Sequence, residues 1–129
     1  MNEYDRLINR KWDSVELDTP SDENAIKGAR ALWRKATGKA WKGKVEIVKR
    51  SNQYTWFSRR NINNMVVNPR RPMPIHGHIK EGWPEIVHSI SHMAHYHLRP
   101  KERPHSDHQL NLEAKLTTYA LSDKFSKYR

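Results

Sequence analysis

A chain of 129 residues with 36% hydrophobic and 29% charged residues suits one domain with a compact core and a heavily solvated surface. It has no cysteine, which excludes a disulfide framework and any thiolate metal site, and no apolar run long enough to span a bilayer. The formal net charge of +10 is lopsided: residues 27–71 carry thirteen bases against one acid, Glu46, whereas residues 1–24 carry seven acids against three bases.

Residues 1–20 hold a weak helical pattern (Tyr4, Leu7, Ile8, Trp12) that ends before Thr19-Pro20, and they are expected to form an arm. Its start has neither a basic n-region nor an apolar h-region, so a cytoplasmic protein is the expectation. The single domain then runs from residue 21 to 129. Ser21 is a helix N-cap, Asp22 and Glu23 favour the dipole of the first turn, and Ile26, Ala29, Trp33 and Ala36 recur at helical spacing up to a stop at Gly38. From Lys44 the period changes. Val45 and Ile47 alternate with polar positions, residues 51–53 form a turn, residues 54–59 are aromatic and β-preferring, and Met65-Val66-Val67 is stopped by Asn68-Pro69. Three short strands in an antiparallel meander are the economical reading.

Residues 70–82, rich in proline and glycine, read as a loop. Trp83-Pro84 opens the next helix, proline being tolerated in a first turn. On a helical wheel Ile86, Val87, Ile90, Met93 and Ala94 gather on one side; Glu85, His88, His92 and His95 gather on the other. Arg99-Pro100 ends this helix, and Ser106-Asp107 caps a last one containing Leu110, Leu112, Leu116, Tyr119 and Leu121. The expectation is an α+β fold: a helix, a three-stranded antiparallel sheet, a His-bearing helix and a C-terminal helix.

All eight histidines fall between His76 and His108. His88 and His92, four residues apart, place two imidazoles side by side on one helical face, the arrangement by which helix-borne pairs grip zinc. A catalytic zinc needs a third protein ligand, for which His105, His108 and Glu113 stand downstream. His95 lies a turn further along and reads as a supporting or solvated side chain; His76, His78 and His97 read as surface or packing residues. Ser89 stands where the HExxH motif of zinc peptidases has its glutamate. Glu85, one turn earlier on nearly the same face, is a candidate to substitute through a water, which the helix geometry permits but does not favour. The basic segment has Trp33, Trp41, Tyr54, Trp56 and Phe57 interleaved, as stacking on exposed bases requires. Lys39, Lys42, Lys44, Arg59, Arg60, Arg70 and Arg71 are its candidate nucleic-acid contacts.

The strand at residues 59–69, followed after a linker by Trp83-Pro84-Glu85-Ile86-Val87-His88-Ser89-Ile90-Ser91-His92-Met93-Ala94-His95, resembles the core of SprT-like zinc metallopeptidases. The family's third-ligand element resembles His105-Ser106-Asp107-His108-Gln109-Leu110, although its phenylalanine is missing here. The resemblance implies a minimal zincin-like core, zinc held by His88, His92 and His105, and a general base falling on Ser89. Peptide hydrolysis needs a carboxylate there, to take a proton from the attacking water and return it to the leaving amine. A weakened peptidase or pseudoenzyme is therefore implied, acting on proteins near nucleic acid, DNA more than RNA. The alternatives are a small basic nucleic-acid-binding protein without metal, of phage or mobile-element origin, and an interaction protein whose His-rich helix meets a partner. None of these readings involves a membrane.

Overall fold

The Ser21 hydroxyl accepts the N–H of Asn24 at 3.2 Å and so starts α1 (Asp22–Thr37). Gly38 ends it in the left-handed region at φ 77°, where a side chain would be strained, with its N–H on the Arg34 carbonyl. The computed structural model describes residues 10–13, 15, 17–48, 54–57, 64–70, 72–75 and 78–129. Ala25, Ala29, Leu32, Trp33 and Ala36 form the buried stripe of α1. The small residues on that stripe let its backbone come close to its neighbours. A Cβ built on Gly28 would lie 2.2 Å from Cη2 of Trp83, so the indole fits only because glycine is there.

Strands β1 (Lys44–Ile47), β2 (Trp56–Phe57) and β3 (Asn64–Val67) form one sheet in the order β1-β3-β2. β1 runs parallel to β3, with Val45 opposite Met65 and Ile47 opposite Val67, while β2 is antiparallel to β3. The expected antiparallel meander is therefore corrected, and the minimal zincin-like core tied to it is withdrawn with it. The chain is a small, mostly helical α+β fold. Burial gives the physical reason: Met65 and Val67 of β3 are fully buried, whereas β1 alternates between exposed and half-buried positions. The most apolar strand takes the centre, where both neighbours cover its backbone, and the chain reaches it from β1 by a crossover that periodicity does not reveal.

The segment read as a loop holds a hairpin, β4 (Pro72–Ile75) and β5 (His78–Glu81), with Ile75 opposite His78. Pro72 and Pro74 are two residues apart, so both missing N–H groups fall on the same side of β4, and a two-stranded hairpin leaves one side of each strand without a partner. Gly82, at φ 85°, then turns the chain into α2 (Trp83–Leu98). Arg99 to Ser106 connects α2 to α3 (Asp107–Ala120), and a 3₁₀ helix (Asp123–Tyr128) follows.

α2 packs on both α3 and α1. Ile86, Val87, Ile90, Met93 and Ala94 of α2 are all fully buried, joined by Leu116, Ala120 and Phe125. Truncating a core aromatic of this kind costs about 3–5 kcal/mol. Trp12, in the segment expected to be an arm, belongs to the same core and is 2% exposed. Among the described residues no helix is long and apolar enough to cross a membrane.

Candidate metal centre

The apolar stripe of α2 commits its opposite face to α3 and the connection before it. On that face Nε2 of His88 and Nε2 of His92 stand 3.1 Å apart, their ring centres separated by 4.6 Å. Two nitrogens held on one tetrahedral zinc at the usual bond length are about 3.3 Å apart, so the pair already has the spacing of co-ligands. Nδ1–H of His88 donates to the carboxylate of Glu113 on α3, because an ionised carboxylate only accepts. That bond puts the proton on Nδ1 and leaves Nε2 bare toward His92. His92 is held neutral: burial, followed by the neighbouring charges of His88, His105 and His95, brings its pKa down to about 3.

The three downstream donors have separate roles. The ring of His105 lies 4.7 Å from that of His92 and 6.1 Å from that of His88, centre to centre. Its backbone is at φ 60°, and its main-chain N–H donates to Oε1 of the buried Gln109. Ring centres around a tetrahedral ion lie roughly 5 Å apart, so His105 would have to swing toward His88 before the three imidazoles had that spacing. As they stand, no group of three His, Asp or Glu side chains among the described residues is placed to hold a metal ion. Glu113 supports His88 from behind. His108 is drawn elsewhere, its Nδ1 lying 2.7 Å from Nδ1 of His95. His95 in turn donates from Nε2 to the Arg103 carbonyl at 3.0 Å, so this second pair braces the α2–α3 connection that carries His105. Burial and the charge of Arg99 lower the pKa of His108.

Glu85, 2% exposed, takes hydrogen bonds from the Thr55 N–H at 3.0 Å, the Thr55 hydroxyl at 2.8 Å and the Ser89 hydroxyl at 2.6 Å. The Thr55 hydroxyl also accepts the Asn68 N–H at 3.0 Å. The carboxylate thereby ties α2 to the start of β2 and the end of β3. Burial raises its pKa in spite of the opposing bonds from Ser89 and Thr55. Ser89 is 6% exposed with its proton directed at Glu85. Neither side chain is a free carboxylate beside the imidazoles.

Of the expected nucleic-acid contacts, Lys39, Lys42 and Lys44 are exposed around the α1–β1 connection. Arg70 is exposed and lies 3.9 Å from Asp22. Arg59, Arg60 and Arg71, like His76, lie outside the described residues. His78 is in β5, and exposed His97 packs near Trp33 at 5.4 Å between ring centres. The interactions that sequence reading missed are the Glu113–His88 bond and the Thr55–Glu85 hub. Glu113 carries one signal, being the sole acid between His108 and Ser122. Thr55 carries none, since its partner is thirty residues away.

Compared with protein-family models, curated proteins and solved structures, the chain matches none.

Proposed function

We propose that the chain is a zinc-binding domain of metallopeptidase type, with His88, His92 and His105 as ligands and with hydrolysis weakened or lost. The observation that carries the reading is the pair of Nε2 atoms on α2, one of them kept bare by Glu113. A sequence without cysteine leaves imidazole as the natural zinc donor, and three neutral imidazoles are a known zinc-competent set. Zinc held there by His88, His92 and His105 would supply Lewis-acid chemistry. The likeness of residues 83–95 to the SprT-like helix supports the same reading.

What the chain lacks is the base. Ser89 has a hydroxyl that stays protonated at neutral pH, and Glu85 is held by three donors in the core. Absence of a general base lowers the rate by on the order of 10²–10⁴. The test is elemental analysis of protein purified without a His-tag or added metal. One zinc per chain is expected, lost in His88→Ala, His92→Ala and His105→Ala and kept in His97→Ala. Metal-free native protein, or equal zinc in all four variants, overturns the assignment.

A further inference from the structure

Away from the histidines, a trough of about 720 Å³ runs between α1, α3 and the 3₁₀ helix. Lys27, Arg30, Arg34 and Lys35 form one wall, Lys115 and Lys124 the other, and among the described residues no Asp or Glu lines it. The α1 residues recur at i, i+3, i+7 and i+8, so the cations form a ridge about 12 Å long. Two of them have partners at the margin: Lys27 pairs with Glu23 at 2.7 Å, and Arg30 donates to the carbonyls of Trp41 and Gly43. Arg34, Lys115 and Lys124 join no ion pair among the described residues.

Half-buried Tyr119 and Tyr128 lie between the walls, with Nζ of Lys35 5.3 Å from the Tyr119 ring centre. A second hollow of about 570 Å³ shares Lys35, Lys115, Tyr119 and Lys124 and continues past Thr118 and Ser122. A single mononucleotide would leave that extension empty. Spaced cations along both walls, aromatic rings in the lining and a length beyond one nucleotide fit a strand of phosphodiesters with unpaired bases.

We propose that this trough binds single-stranded nucleic acid without sequence preference, the backbone phosphates meeting Arg34, Lys35, Lys115 and Lys124 while bases stack on the tyrosines. Of the lysines and arginines singled out in the sequence, the described ones, Lys39, Lys42, Lys44 and Arg70, do not line the site, and it does not depend on the metal reading. Neutralising about four phosphates gives a salt slope of roughly −3 for a single strand.

The test is fluorescence anisotropy of the full chain with labelled twenty-nucleotide DNA and RNA strands, a matched duplex and competing dTMP, over a range of salt. Binding to the single strands with that slope is expected, little affected by dTMP or by chelator. Arg34→Glu with Lys115→Glu, both exposed, should weaken it at least tenfold, whereas Arg10→Glu with Lys101→Glu, the same charge change at exposed positions outside the trough, should cost far less. Circular dichroism melting checks that both variants fold. Equal losses in the two double variants would reduce the effect to net charge and overturn the proposal. Tighter binding of the duplex, competition by dTMP at the strand's own concentration range, or loss of binding on chelation each overturns it too.

Discussion

Glu113 and His88 meet across the α2–α3 interface, and their bond decides which ring nitrogen of His88 faces His92. A carboxylate behind a ligating imidazole fixes both tautomer and ring orientation. Glu113→Ala frees the ring and removes the preference for a bare Nε2. Zinc affinity should then fall about 10–100-fold, the usual cost of losing such a support. Chelator competition at neutral pH measures it; unchanged affinity would show that Glu113 does not set the site.

His105 and His108 are three residues apart, yet only one borders the α2 pair. His105→Ala should abolish tight zinc retention with little effect on the unfolding midpoint of the metal-free protein, since its side chain is exposed. His108→Ala should keep the zinc and lose the bond to His95, at about 1 kcal/mol of stability. Retention of zinc by the first variant and its loss in the second would exchange their roles.

The sequence made α1, α2 and α3 readable because each has an amphipathic period and recognisable ends, such as Ser21, Gly38 and Pro84. The pairing of His88 with His92 was readable for the same reason: it is local. The sheet was not. Val45 and Ile47 announce a strand, but nothing in their alternation says whether β3 lies parallel or antiparallel to it. Pro72 and Pro74 signalled a break where a two-stranded hairpin tolerates them. Which of the three open donors after Pro104 would border the α2 pair was not readable either: the His105 ring lies nearest to His92, while His108 is held by His95, and both placements follow from tertiary packing.

Gly28 sets two effects against each other. Alanine in the interior of a helix is better than glycine by about 1 kcal/mol. Its Cβ would meet Trp83 at 2.2 and 2.9 Å and Phe125 at 3.0 Å, all in a closed core. Overpacking of that kind costs about 1–3 kcal/mol and forces the indole from its place, so the clash wins. Gly28→Ala is expected to lower stability by urea denaturation; a stabilised variant would mean that the core yields more readily than the contact between α1 and α2 implies.

The buried Glu85 makes stability depend on pH in a stated direction. Its pKa is raised in the folded protein by burial, the facing groups being Ser89, Thr55 and His88. A raised folded value means that its contribution is fully present below the ordinary 4.5 and is lost as pH rises through the raised value. Replacing it with the uncharged Glu85→Gln should therefore flatten the stability profile on the alkaline side of 4.5, at some loss of the bonds to Thr55. Denaturation curves at several pH values compare the slopes; parallel profiles for the two proteins would remove Glu85 as their source.

Placing a carboxylate at residue 89 tests whether the proposed zinc site lacks only a general base for hydrolysis, and the packing dictates how. Ser89→Glu alone sets a second acid beside Glu85, which the serine hydroxyl now contacts at 2.6 Å, in a site shut off from water. A buried charge without a partner costs about 3–5 kcal/mol, so the single variant should be severely destabilised. Combining it with Glu85→Gln removes the like-charge neighbour and should recover much of that loss. The zinc-loaded double variant is then expected to cleave unfolded protein at least 10²-fold faster than the native chain, the lower bound of what a general base contributes. Gel-based cleavage of casein with a chelated control reads it directly. A folded, zinc-loaded double variant that remains inert would separate the metal from peptidase chemistry and leave zinc with a structural role.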